Sequence, residues 1–382
     1  MKVFSLLLAV LILLTGCAQP APEAASLPRP TETQPTETLP PETKAPETQP
    51  PDPLEALLAI MPLEHKVGQL FLARHPDMDA LEDVEQFHLG GFILFARDFL
   101  DREYLNSMIS QYQLASSIPM LMAVDEEGGT VCRISGNPAF RAQSFPSPRS
   151  LYASGGMEAV LAVEEEKASL LQELAINVNM APVCDIATES TAFMYRRSLG
   201  QSPEITGEFA LKTSAILESH RVGSVLKHFP GYGNNADTHT AMAVDTRSLE
   251  TLENADLIPF QMAIDAGCGA IMVSHTVVEA LDPENPATLS PAVHDYLRQT
   301  MGFEGVIVTD DLAMGAITDI YGAEEAAILA VLAGNDLLCC TDYAAQYRAV
   351  LEAVTDGRIP EETLNTAVMR LLRWKQRIGL LY

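Results

Sequence analysis

Eight short apolar runs recur along this chain, and most of them end on a polar side chain. They are VGQLFLA (67–73), GGFILF (90–95), IPMLMAVD (118–125), NVNMAPVCD (177–185), VGSVLKHF (222–229), CGAIMVSH (268–275), EGVIVTD (304–310) and GNDLLCCTD (334–342). Continuous rather than alternating hydrophobicity is the pattern of strands covered on both faces. Between them lie longer stretches such as MEAVLAVEEEKASLLQELA (157–175), with apolar residues three and four apart, which predicts helices. Strand then helix, eight times over, predicts an α/β fold closed into a (β/α)8, TIM-like barrel. A doubly wound open sheet is the alternative.

The run ends carry the first functional signal. Asp125, Asp185, Lys227 with His228, His275, Asp310 and Asp342 all stand where a strand gives out. Side chains there point into the mouth of a barrel, which is where barrel enzymes keep their chemistry.

Ahead of this body the sequence changes character. Residues 1–16 carry one early cation, Lys2, an apolar stretch from Val3 to Leu14, and small residues before Cys17. This predicts a secretory signal, too short for a membrane span. Leu14-Thr15-Gly16-Cys17 resembles a bacterial lipobox. The expectation is cleavage before Cys17 and a lipid on its thiol, so that the mature protein is anchored to an envelope membrane without crossing it. Ordinary secretion is the alternative. Residues 18–53 hold eleven prolines among Pro-Glu-Thr and Thr-Glu-Thr repeats. Such a segment cannot bury enough apolar surface to order itself, so 17–53 reads as a lipidated cysteine and an extended tether. Residues 54–382, about 330 in number, then form a single domain.

The formal net charge is −27; without Lys2 and the tether's two basic and six acidic residues, −24 stays on the body. That charge repels phosphate backbones and excludes a nucleic-acid partner. Five cysteines remain besides Cys17, in or beside apolar runs, with no Cys-x-x-Cys or His-x-x-x-His spacing. They predict small buried hydrophobes rather than a disulfide framework or a zinc site.

One stretch stands apart. KHFPGYGNNADTHT (227–240) leaves the fifth run through a cation and a histidine, loosens into glycines and asparagines, and ends in an Asp-x-His pair. A carboxylate two residues from an imidazole can accept from one ring nitrogen and leave the other free to move a proton. An Asx-type turn carrying a surface histidine is the structural alternative.

Taken together, KHFPGYG…DTH (227–239), DEEGGTVCR (125–133), APVCDI (181–186), RRSLG (196–200) and VTDDLAMG (308–315) resemble glycoside hydrolase family 3, in its single-domain β-N-acetylhexosaminidase branch. The likeness runs from PLEHKVGQLF (62–71) to NTAVMRLLRWKQRIGLL (365–381). It implies a retaining glycosidase that needs no cofactor and no metal, acting on terminal β-linked N-acetylglucosamine in peptidoglycan fragments or other glycans. Asp310 would be the nucleophile, and Asp237 with His239 the acid/base pair on the loop after the fifth strand. Asp311 adjoins Asp310; successive strand residues point opposite ways, and a helix N-cap suits Asp311 better. The resemblance makes Asp125, Arg197, Lys227 and His228 sugar ligands, with Arg133 and His275 as further candidates. Arg196 is the lesser alternative to Arg197. Lys227 could instead pair structurally with Asp185 or Asp125, and His275 could be a satisfied strand-end histidine.

The chain departs from the family pattern at Thr130, where arginine is common, and at Tyr232, where histidine or aspartate is common. It also has three residues rather than four between Gly233 and Asp237. Competing readings are a phosphorylase, a β-glucosidase or xylosidase on the same fold, a non-catalytic sugar-binding lipoprotein, and a metal amidohydrolase. The expected partners are a carbohydrate substrate and, through the N-terminal lipid alone, a membrane.

Overall fold

Each apolar run delivers one parallel strand, usually shorter than the run itself. The strands are β1 (Phe71–Arg74), β2 (Gly91–Leu94), β3 (Leu121–Val124), β4 (Val178–Asn179), β5 (Gly223–Phe229), β6 (Ala270–Val273), β7 (Val306–Thr309) and β8 (Leu338–Cys340). The computed structural model describes residues 52–76, 78–233 and 242–382. The expected signal peptide, Cys17 and nearly all of the tether lie outside these residues, as do Asp237 and His239.

The eight strands pair in the order β7-β6-β5-β4-β3-β2-β1-β8. The ring closes where Thr309 N donates to Leu337 O and Leu337 N to Ile307 O, both at 3.0 Å. The sheet is therefore a barrel and not an open doubly wound layer. β2, β3, β5, β6 and β7 are buried at every position, which accounts for their unbroken hydrophobicity.

Two runs read whole as strands are divided in the fold. Val67–Gln69 ends a helix, Leu63–Gln69, so β1 starts only at Phe71. In NVNMAPVCD, Pro182 has no N–H to give a ladder. Pairing stops after Asn179 and resumes as a single bridge between Val183 and Lys227.

Helix starts follow local chemistry. Ser147, Ser202 and Ser290 each cap a helix whose first residue is proline, accepting from Ser150 N, Ile205 N and Val293 N. The hydroxyl satisfies an otherwise orphaned N–H, and proline gives up only a donor the first turn could not use. Asp52 does the same for Pro53–Ile60, so the folded body starts at the residues assigned to the tether's end. The final helix, Glu361–Arg377, crosses the barrel end where strands begin. A Cβ on Gly223 or Gly269, at the entries to β5 and β6, would lie 2.7 Å from the Trp374 indole. That end is closed, and the mouth is the opposite one. Among the described residues no helix is long and apolar enough to cross a membrane.

Candidate active site

Lys227 and His228, at the buried end of β5, sit where the pairing of β5 with β6 shifts register between Leu226 and Phe229. Regular alternation would send consecutive side chains to opposite faces. At this irregularity both enter one polar network.

Lys227 Nζ donates to Asp125 Oδ1 at 2.6 Å and stands 2.7 Å from Glu127 Oε1. Arg197 grips the same Glu127 with both arms, Nε to Oε2 at 2.9 Å and Nη2 to Oε1 at 2.7 Å. The His228 Nδ1–H donates to Asp185 Oδ2 at 2.8 Å, and its Nε2 faces Arg197 Nη2 at 3.3 Å. The other oxygen of Asp185 accepts from Tyr232 N at 2.8 Å, which ties down the chain leaving β5.

Burial alone would push Glu127 toward its neutral form, but the charges of Lys227 and Arg197 prevail and hold it far below the ordinary carboxylate range. Lys227 shows the converse: burial favours loss of its proton, and Asp125 and Glu127 more than reverse this. The network is a fixed array of charged donors and acceptors, already paired, at the barrel mouth.

Asp310 follows β7 directly. Its carboxylate accepts one hydrogen bond, from Asp311 N at 2.9 Å, and meets no ion-pair partner within 4.0 Å among the described residues. Burial raises its affinity for a proton. His275, then His228 and more weakly Lys227, oppose this, and the net result is a pKa below the usual value. Asp311 is occupied differently: Oδ1 accepts from Ala313 N at 2.9 Å and Oδ2 from the Thr341 hydroxyl at 3.3 Å. It therefore braces a turn and is not a helix cap; the following helix starts later, at Gly315. Of the two neighbours, Asp310 is the one left available.

The remaining predicted residues divide. Asp125, Arg197, Lys227 and His228 come together. The His275 ring is engaged within the protein, Nε2–H donating to Asp311 O at 2.9 Å and Nδ1 lying 2.8 Å from Thr288 Oγ1. Both ring nitrogens thus have partners within the protein, beside the Asp310–Asp311 turn. Arg133 lies apart from the network, its guanidinium 5.5 Å from the centre of the Phe95 ring. Lys227 pairs with Asp125, as the structural alternative had it, and with Glu127 as well.

Asp185, one of the polar run ends, belongs to the network through His228; Glu127 belongs to it too and is absent from the sequence reading. Alternation along DEEGG was the available signal, since Asp125 and Glu127 are two apart and share a face. Glu126, facing the other way, accepts from Arg133 N at 2.9 Å and Ile134 N at 2.7 Å and holds the hairpin in place.

Gly231 and Gly233, the glycines of the stretch that follows β5, meet a tight requirement at the root of the loop. Both have positive φ, +117° and +54°. A Cβ on Gly231 would be 2.6 Å from Asp256 Oδ1, and one on Gly233 2.6 Å from Arg247 Nη2. Arg247 in turn binds Asp245 and Asp256, each at 2.6 Å. Among the described residues no cluster of three or more His, Cys, Asp or Glu side chains is disposed to hold a metal ion.

A strand-end aspartate facing a rigid, charge-paired array in a barrel mouth is an arrangement that sequence comparison can test. Residues 62–374 match the family described as glycosyl hydrolase family 3 N terminal domain. The chain belongs to this family. It is 35% identical over 265 residues to a beta-hexosaminidase of Nitrosomonas eutropha, covering 66% of this chain and 74% of that protein. It is 32% identical over 286 residues to a beta-hexosaminidase of Xanthomonas campestris pv. campestris, covering 74% and 84%. The fold superimposes on a family 3 β-N-acetylglucosaminidase from Paenibacillus sp. str. FPU-7 with a TM-score of 0.78 and 34% identity. The match covers 84% of this chain and 63% of that one, so the chain spans less than two thirds of that structure. A family 3 member from Mycobacterium smegmatis matches with a TM-score of 0.76 at 30% identity, covering 83% and 98%. The protein is a glycoside hydrolase of family 3.

The electrostatics make a prediction for this hydrolase. If Asp310 serves as the nucleophile, the role proposed below, it works ionised; its pKa is lowered, so activity should be lost only as pH falls through that lowered value. The acid-side plateau of kcat/KM should extend below pH about 4, the ordinary aspartate value. His275→Asn should move the acid bend to higher pH. A native profile already falling at about pH 5 would contradict this account of Asp310.

Proposed function

We propose that the protein is a retaining exo-β-N-acetylhexosaminidase that releases terminal β-linked N-acetylglucosamine from peptidoglycan fragments or other glycans. The supporting observation is Asp310, a carboxylate with no ion-pair partner among the described residues, at the end of β7 on the same mouth as the Asp125–Lys227–Glu127–Arg197 array. The array holds the hydroxyls of the terminal sugar. Asp310 attacks C1 as the glycosidic C–O bond breaks, and His239, oriented by Asp237, gives its proton to the leaving oxygen. In the second half water attacks C1, His239 takes a water proton, and the Asp310 carboxylate departs. Asp237 and His239 take these roles from the family motif and lie outside the described residues.

In this reading residues 1–16 are removed, Cys17 carries lipid, and 17–53 holds the catalytic barrel away from the envelope membrane. The full-length chain is tested on an aryl β-N-acetylglucosaminide, an aryl β-glucoside and a muropeptide, with and without inorganic phosphate. Free N-acetylglucosamine, released with its β-configuration retained and at a rate independent of phosphate, is expected. Sugar 1-phosphate as the main product would replace hydrolysis by phosphorolysis. Preference for the aryl glucoside would overturn the sugar assignment.

A further inference from the structure

The segment that carries Asp237 and His239 has two described roots. The chain enters it through Gly231-Tyr232-Gly233 after β5 and leaves it through Val244–Asp245, a short strand that pairs with Val277–Val278 just beyond β6. One side chain, Arg247, meets both roots. On the exit side its guanidinium binds the Asp245 carboxylate, through Nε at 3.0 Å and Nη2 at 2.6 Å. Its Nη1 reaches Asp256 Oδ2 at 2.6 Å. On the entry side the guanidinium stands against Gly233, where a Cβ would lie 2.6 Å from Nη2 and 2.7 Å from Cζ. Gly231 is packed on Asp256 in the same manner.

The side chains of Asp245 and Asp256 are each 1% exposed, and none of the three charged residues lies on a barrel strand. A buried ion cluster adds little stability over apolar packing, and its best-attested use is to fix one register of chain against another. Here the parts fixed are the two ends of one segment. Each end is also tied to the barrel. Tyr232 N donates to Asp185 Oδ1 and Gly231 N to His228 O, both at 2.8 Å. Val277 N donates to Ala243 O at 2.9 Å and Glu279 N to Asp245 O at 3.0 Å. Arg247 stands between these ties, and the missing side chain of Gly233 is what lets it come so close.

We infer that Arg247, clamped by Asp245 and Asp256, is a positioning residue for the acid/base: holding the two roots at a fixed separation, it sets where the segment between them delivers a proton. This rests on the hexosaminidase reading, which assigns that proton to His239. Arg247 acts through the chain and moves no proton itself.

The test separates proton delivery from the other steps by choice of leaving group. A 2,4-dinitrophenolate departs without a proton, whereas the alkoxide of a sugar needs one. The readout, on full-length protein, is kcat/KM for a disaccharide with terminal β-N-acetylglucosamine divided by kcat/KM for the 2,4-dinitrophenyl β-N-acetylglucosaminide. Both rates scale with the amount of folded enzyme, so partial unfolding of a variant leaves the ratio unmoved. Arg247→Lys keeps the charge but loses the fork that spans two carboxylates. It should lower the ratio by about tenfold or more, a share of the roughly 10²–10⁴-fold that a positioned acid supplies. Gly233→Ala leaves every charge in place, drives a Cβ into the guanidinium, and puts alanine at a φ of +54°, which it disfavours. It should lower the ratio in the same direction. In both variants azide should speed turnover of the dinitrophenyl substrate and give the β-glycosyl azide. Azide attacks C1 of the glycosyl-enzyme as the Asp310 carboxylate departs, and it has no proton to surrender. A native ratio in both variants, with or without a general fall in rate, is the mark of a merely structural cluster and would overturn the inference while leaving the hexosaminidase intact. Native protein inactive on both N-acetylglucosaminides would overturn the parent reading and the inference with it.

Discussion

Asp310→Ala should lower kcat by at least about 10⁴-fold, the scale seen when a covalent nucleophile is removed. It should do so with little change in fold. The carboxylate receives a single hydrogen bond, from Asp311 N, and has no ion pair within 4.0 Å among the described residues, so its loss leaves no buried cation stranded. The melting temperature is therefore expected to stay close to that of the native protein. A small anion such as azide can enter the vacated space and attack C1 from the face the carboxylate used. The rescued product is then the α-glycosyl azide, because one displacement inverts where two retain. The neighbour supplies the control. Asp311→Ala removes the acceptor for Ala313 N and the Thr341 hydroxyl, and should cost turn stability more than chemistry. If Asp311→Ala abolished turnover while Asp310→Ala kept it, the two assignments would have to be exchanged.

Glu127→Gln is expected to have the largest effect on stability. Glu127 is 3% exposed and accepts from Arg197 through both oxygens while lying 2.7 Å from Lys227. Neutralising it leaves two cations around one remaining close carboxylate, Asp125. Removing one partner of a buried ion pair costs about 3–5 kcal/mol, because the other charge stays desolvated. The loss should appear as a lower urea midpoint at neutral pH, together with a raised KM as Lys227 and Arg197 lose their positions. The pH dependence has a definite sign. Since the folded-state pKa of Glu127 lies below its unfolded value, its contribution is present above the ordinary glutamate range and is lost as pH falls through the depressed value. The midpoint difference between native and Glu127→Gln should thus be full at pH 7 and shrink in acid. A difference under about 1 kcal/mol at pH 7, the size of a surface pair, would show that the network is not the support described here.

The barrel was legible in the sequence because strands covered on both faces leave unbroken apolar runs. Their polar ends gave Asp125, Lys227, His228 and Asp310 by position alone. Exact strand limits were less legible: hydrophobicity does not distinguish Val67–Gln69 in a helix from Phe71–Arg74 in a strand when both are buried. The partners of each charge were hidden for another reason. Glu127 meets Arg197 across 70 residues of chain and Lys227 across 100, and no local pattern encodes such a meeting. His275 illustrates the limit of residue type, since nothing about a strand-end imidazole in sequence announces that its nitrogens meet a carbonyl and a threonine hydroxyl.

The body's opening helix, Pro53–Ile60, runs beside its last one, Glu361–Arg377, and Asp52 lies 3.8 Å from Arg373. Trp374 on that last helix lies over the closed end of the barrel. Entry and exit of the polypeptide thus share the side away from the reaction. A bead or biosensor chip coupled through Pro53–Ile60 or Glu361–Arg377 would leave the opening facing the bulk solution, so immobilised enzyme should turn over bulky glycans as well as free enzyme does.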